Sequence, residues 1–181
     1  VPAGFTLSTT SVSVAETGTT AQFTVVLDAE PVSDVVIWSA SSDSGEAQVG
    51  GGAGIGLTFT SSNWATPQTF TITGIDDSIA DGDQQATFTV GVLDASSDDA
   101  YDDVANQSVT ATNTDDDTAG FSVSKTTFSD DASVTEGGST DMFTVVLNTE
   151  PTGDVVISVL SSDIGEATLS PSMLTFTAAN W

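Results

Sequence analysis

Cysteine and histidine are both absent from the 181 residues, and a single residue, Lys125, is basic. Without thiols there is neither a disulfide nor a thiolate metal site, and without imidazole the commonest general base and zinc ligand are gone. Against that one base stand 26 acidic side chains, a formal net charge of -25, which excludes nucleic acid and anionic membrane surfaces as partners. No apolar run approaches the roughly 18 to 20 residues of a membrane span, so direct insertion is not expected. Helix signals are nearly missing. The start at Val1-Pro2 shows neither a methionine nor a signal peptide and reads as a piece of a longer protein. What is present is an apolar share of 38%, with Val, Thr and Phe at alternating positions. That composition buries a core, so the chain is a folded acidic protein and not a disordered tail. Its chemistry must come from carboxylates, hydroxyls and backbone.

The chain repeats itself. "FTVVLDAEPVSDVVI" (Phe23 to Ile37) returns as "FTVVLNTEPTGDVVI" (Phe143 to Ile157), and "SSDSGEA" (Ser41 to Ala47) returns as "SSDIGEA" (Ser161 to Ala167). "GF" at Gly4-Phe5 recurs at Gly120-Phe121, and "LTFTSSNW" (Leu57 to Trp64) recurs as "LTFTAANW" (Leu174 to Trp181). The period is about 120 residues, the size of one domain. The spacing drifts where the second copy gains residues around Ser129 to Ala132 and where the first carries the glycine-rich Gly50 to Gly56, which reads as a loop. Residues 1–117 are expected to form one complete domain, and residues 118–181 the N-terminal half of a second, truncated one.

Short alternating runs such as "AQFTVVL", "DVVIWSA", "QTFTITGI", "ATFTVGVL" and "QSVTATN" are each bounded by Gly, Pro, Asp, Asn or Ser. This predicts an all-β fold: tandem immunoglobulin-like antiparallel β-sandwiches of about seven strands each. The acids gather at the strand ends. Asp76, Asp77, Asp81 and Asp83 follow the run ending at Ile75, Asp115 to Asp117 follow the run ending near Asn113, Glu16 lies in the early "VAETG" turn, and Asp43 and Glu46 follow "DVVIWSA". In a sandwich with alternating strand directions these segments are expected to meet at one pole. Each carboxylate pair about 4 Å apart would repel by roughly 4 kcal/mol at an effective dielectric near 20, a large charge against the roughly 5–15 kcal/mol stability of a domain. With one lysine available, the compensating cations must come from solvent. Calcium suits them, because it takes six to eight oxygen ligands in irregular geometry while magnesium demands a tighter octahedron.

These residues resemble the Calx-β domain family. The resemblance rests on "GIDDSIADGD", on "NTDDDTAGF" and on the turn glutamate of "VAETG", repeated as "VTEGG" with Glu136. It spans the first copy and the matching part of the second. It implies calcium ligands at Glu16, Asp76, Asp77, Asp81, Asp115, Asp116 and Asp117, with a carbonyl near Ser78 or Ile79. Asp43, with Glu46 close after it, stands where the family often has an Asp-Tyr pair and is expected as a further calcium ligand, as is Glu136, the second copy's counterpart of Glu16. The "NWATPQTFTI" stretch resembles the version found in tandem arrays of large secreted bacterial proteins, adhesins included, which implies the outside of the cell.

The expectation is therefore a calcium-binding extender repeat of a secreted or surface-anchored bacterial protein, with calcium stiffening the domain ends and the linker. Its partners would be neighbouring repeats, other copies or cell-surface glycans. The alternative is a calcium-assisted carbohydrate- or protein-binding adhesion module, in which Trp38, replaced by Ser158 in the second copy, would stack on a sugar. Trp64 and Trp181 recur at one repeat position and read as packing residues. Scattered acids such as Asp28, Asp34, Asp94, Asp98 and Asp99 read as solvated surface. An enzyme is not expected, because contiguous acids sharing a cation differ from the two separately tuned carboxyls of a glycosidase.

Overall fold

The structure, a computed structural model, describes residues 1–125 and 132–181. The chain is all-β, with no α-helix among the described residues, and it divides into two compact units. Val1–Asp77 with Asp81–Asp116 form the first, and Ser78–Ala80 with Asp117–Trp181 form the second. Most of the residues inserted around Ser129 to Ala132 lie outside the described residues.

Nine strands build the first unit: β1 (Phe5–Leu7), β2 (Ser11–Ala15), β3 (Thr20–Leu27), β4 (Val35–Ser41), β5 (Ala47–Val49), β6 (Gly54–Phe59), β7 (Gln68–Gly74), β8 (Gln84–Val92) and β9 (Gln107–Thr114). They make a four-stranded sheet in the order β1-β3-β7-β5 and a five-stranded sheet in the order β2-β9-β8-β4-β6. The count exceeds the expected seven because the first strand is split, β1 joining one sheet and β2 the other, and because β5 adds a three-residue edge. The glycine-rich stretch is only partly a loop. Gly50 and Gly51 take positive φ in a turn, as glycine does without steric cost, whereas Gly54 and Gly56 lie in β6 opposite Ala40 and Trp38.

Alternation places the core as the period of two demands. Phe23, Val25 and Leu27 of β3, Val35 and Ile37 of β4, Phe70 and Ile72 of β7, and Phe88 and Val90 of β8 are all buried. Phe23 opposes Phe70 across the β3–β7 ladder with ring centroids 5.2 Å apart. Trp64 packs half-buried against this core. Trp38 is also half-buried, and its indole N–H donates to the Val92 carbonyl at 3.2 Å.

One ladder departs from the antiparallel expectation: β2 runs parallel to β9, with Ala15 opposite Thr114. Splitting the first strand lets β2 cross to the second sheet and add to its edge in the same direction as β9. The link between β8 and β9 corrects a second expectation. Asp98 is buried rather than solvated, and its carboxylate accepts from the backbone N–H groups of Val32 (2.5 Å), Ser33 (2.9 Å) and Ala100 (3.0 Å). These bonds, led by the one from Ala100, hold its pKa below the usual carboxylate value. Three residues on, the buried Tyr101 donates its hydroxyl to the Ala29 carbonyl at 2.5 Å.

Among its described residues the second unit carries two separate ladders, β10 (Phe121–Lys125) with β11 (Phe143–Leu147) and β12 (Val155–Ser158) with β13 (Met173–Phe176). Phe121 opposes Leu147 as Phe5 opposes Leu27, and Val155 opposes Phe176 as Val35 opposes Phe59. Leu147 and Phe176 are buried, but Phe121, Val123, Val146, Val156, Leu160 and Met173 are exposed.

Candidate metal centre

Five segments of the first unit bring carboxylates to one pole, and the local folding reasons differ. Because β2 and β9 run side by side in the same direction, they end together, so Glu16 after Ala15 and Asp115 after Thr114 become neighbours; the Glu16 N–H donates to the Thr114 carbonyl at 3.1 Å. The end of β7 delivers Asp76 and Asp77, while the turn before β8 supplies Asp81 and Asp83. The turn between β4 and β5 supplies Glu46, whose carbonyl accepts from the Ile75 N–H at 2.9 Å. Gly74 makes this convergence possible: a Cβ there would stand 2.3 Å from the Ala15 carbonyl oxygen and 2.6 Å from Asn113 Oδ1.

Glu16 is the most unusual group. It is 1% exposed, and its Oε2 has no hydrogen-bond partner among the described residues. A carboxylate oxygen of Glu16 and one of Asp115 lie within 4.8 Å of each other. Burial first, then the charges of Asp115 and Asp77, push the Glu16 pKa up to about 7, although the Asp116 backbone N–H donates to it and Glu46 adds a smaller repulsion. Burying an ionised carboxylate with an oxygen unpartnered is costly, so such a group takes a proton or a cation.

A second cluster joins Glu46, Asp77 and Asp81, each with a carboxylate oxygen within 4.8 Å of the others. Glu46 is half-buried and its pKa is raised, by burial first and then by Asp81, Asp43 and Asp77, while the Asn113 amide lowers it. Asn113 Nδ2 donates to the Ile75 carbonyl at 2.9 Å and reaches Glu46 Oε2 at 3.5 Å. The Asp115 carboxylate accepts from the Gly82 N–H at 2.7 Å, and Asp83 accepts from the Asp115 N–H at 3.3 Å. Loop backbone thus fixes the acids' positions without neutralising them.

The remaining expected ligands are placed as follows. Asp76 and Asp116 are exposed, and Asp116 contributes through its backbone to Glu16. Asp43 is exposed and shapes the β4–β5 turn, its Oδ1 accepting from the Gly45 N–H at 2.9 Å, as Asp163 does from Gly165 in the second unit. Asp117 is the half-buried residue with which the main segment of the second unit begins. The Ser78 carbonyl accepts from the Glu150 N–H at 2.7 Å within the second unit. Glu136 is exposed in a turn closed by the Gly138 N–H and the Thr135 carbonyl. Sequence reasoning noticed Glu46 without placing it in the ligand set, and it missed Asn113. The signal for Asn113 was present: β9 points Val109, Ala111 and Asn113 inward, and an amide at the end of an apolar alternation needs a polar partner.

The donors are all oxygens, and the chain has no cysteine or histidine. Such a set fits hard divalent cations, calcium above all.

No protein-family model matches the chain, and no curated protein does. Among solved structures the chain is similar to an apo-form Calx CBD1 domain, with TM-score 0.47 and 16% identity over 65% of this chain and all of that one. It is similar to the E. coli chaperone DraB, with TM-score 0.44 and 11% identity over 84% of this chain and 89% of that one. It is also similar to domains 1–6 of the surface layer protein SbsC, with TM-score 0.40 and 16% identity over 95% of this chain and 20% of that one. These are weak fold-level likenesses between β-folds. Among the described residues, no helix is long and apolar enough to cross a membrane.

Proposed function

We propose that the chain is a calcium-binding structural module, an extender repeat of a secreted or surface-anchored bacterial protein, and not an enzyme. In this reading residues 1–117 belong to one repeat and residues 118–181 to the next. The observation that carries the proposal is Glu16: a buried carboxylate with one oxygen unpartnered, beside Asp115 and close to a second carboxylate cluster, in a chain whose single basic residue lies on β10. Glu16, Glu46, Asp77, Asp81 and Asp115 would hold the ions. Bound calcium would supply the positive charge that offsets the repulsion among these carboxylates. The chain's own residues position the oxygens, through Asn113, the Gly82 N–H and the close approach at Gly74.

Calorimetric titration with calcium chloride tests the reading. Saturable binding is expected in calcium, weaker binding in magnesium, and none in sodium chloride of matched ionic strength, because screening is not coordination. Asp77→Asn combined with Asp81→Asn should remove part of the binding. Heats that do not differ between calcium and sodium chloride would leave these acids a solvated surface.

A further inference from the structure

The second unit reproduces one half of the first in detail. Its β10–β11 and β12–β13 ladders keep the registers of β1–β3 and β4–β6. Its turns repeat the same bonds: Asn148 N–H to Gly120 carbonyl matches Asp28 to Gly4, both at 2.9 Å, and Thr177 N–H to Asn180 Oδ1 matches Thr60 to Asn63, both at 2.6 Å. What differs is the other side of each ladder. In the first unit the second edge of β3 is taken by β7 and the second edge of β4 by β8. Among the described residues, β11 pairs with β10 alone and β12 with β13 alone. The consequence is exposure: Phe121 is 56% exposed where Phe5 is 3%, and Phe143, Val145, Val155 and Ile157 are half-buried where Phe23, Val25, Val35 and Ile37 are buried.

A groove in the second unit, about 430 Å³ in volume, has Phe121, Leu147, Thr149, Thr152, Gly153 and Ile157 in its lining. By the repeat, Thr149 corresponds to Ala29, and Thr152 and Gly153 to Val32 and Ser33. In the first unit those three residues receive the β8–β9 connection, Ala29 through the Tyr101 hydroxyl and Val32 and Ser33 through the Asp98 carboxylate. The groove lining thus includes the equivalents of the residues that receive that tyrosine and aspartate in the first unit, together with Ile79 and Ala80.

We infer that this side of the second unit is a docking surface for a polypeptide segment with the chemistry of residues 65–117. A strand like β7, aromatic and aliphatic on one face and threonine-rich on the other, seats on the open edge of β11. A strand like β8 seats on β12, and a turn like Asp98–Tyr101 enters the groove. The strand edges without a partner among the described residues supply backbone hydrogen bonds and the apolar face supplies side-chain register. The internal repeat identifies the occupant, because the same ladders in the same registers already hold such a segment once in this molecule.

Two arms test it. The full chain is mixed with a synthetic peptide of residues 65–117, and separately the chain is extended after Trp181 by a copy of the same residues. In both, hydrogen exchange of the 143–147 and 155–158 amides should slow by more than about tenfold, with the first unit's amides unchanged. Protection should be lost with Val145→Asp in the chain or with Phe70→Asp in the added segment, and weakened with Tyr101→Ala in that segment. Unchanged exchange in both arms overturns the inference. So does sedimentation of the chain alone as a dimer with these amides already protected, since a second copy would then be the occupant.

Discussion

Replacing Glu16 by Gln separates coordination from general acidity, because it removes one buried charge and keeps the shape. In the metal-free protein, Glu16 and Asp115 with oxygens within 4.8 Å repel by roughly 3.5 kcal/mol when both are ionised, at an effective dielectric near 20. The folded protein avoids part of this by keeping a proton on Glu16, whose pKa rises from 4.5 to about 7. The folded value lies above the unfolded one, so the proton's stabilising contribution is fully present below pH 4.5 and is lost as the pH rises through about 7. Across that window the metal-free protein should lose at most ~1.4 kcal/mol per pH unit from this group. Calcium competes with the proton, so its apparent affinity should climb as the pH rises to about 7 and then level off. At a hundredfold excess over Kd, calcium should add about 2.7 kcal/mol, a rise of ~10 °C in Tm for a domain of this size. Glu16→Gln should raise the metal-free Tm at pH 8, flatten the pH dependence between 4.5 and 7, and remove most of the calcium response. Differential scanning calorimetry from pH 4.5 to 8, with calcium and with chelator, reads all three. A Glu16→Gln protein that keeps the wild-type calcium response, or a wild-type Tm equal in calcium and in matched sodium chloride, would refute the reasoning.

Other outcomes follow from particular residues. Asp98→Ala should lower Tm equally with and without calcium, because it leaves the N–H groups of Val32, Ser33 and Ala100 without their acceptor, whereas the exposed Asp99→Asn should change Tm little; equal effects of the two would contradict this account. Gly74→Ala should cost more than about 2 kcal/mol in denaturant unfolding and weaken calcium binding, since its Cβ would meet the Ala15 carbonyl at 2.3 Å; a neutral variant would show that the pole does not depend on this close approach.

The strands and their inward faces were legible in the sequence, because a period of two and the punctuation by Gly, Pro, Asp and Asn are local. Phe70 and Ile72, or Phe88 and Val90, declare their face from neighbours two residues away. The collection of acids at strand ends was legible for the same reason. What a local reading could not supply was which ends meet. The parallel pairing of β2 with β9 joins residues about a hundred positions apart, and it alone sets Glu16 beside Asp115. Burial of Glu16 depends on that pairing and on the close approach at Gly74, so nothing in "VAETG" distinguishes it from a solvated turn glutamate. Asp98 shows the same limit. Within "SSDDAYDD" it looks like any exposed acid, yet two of its three donors lie more than sixty residues away. Alternation and turn chemistry are properties of short stretches of chain; burial and charge proximity belong to pairs of stretches, and only the tertiary structure brings those together.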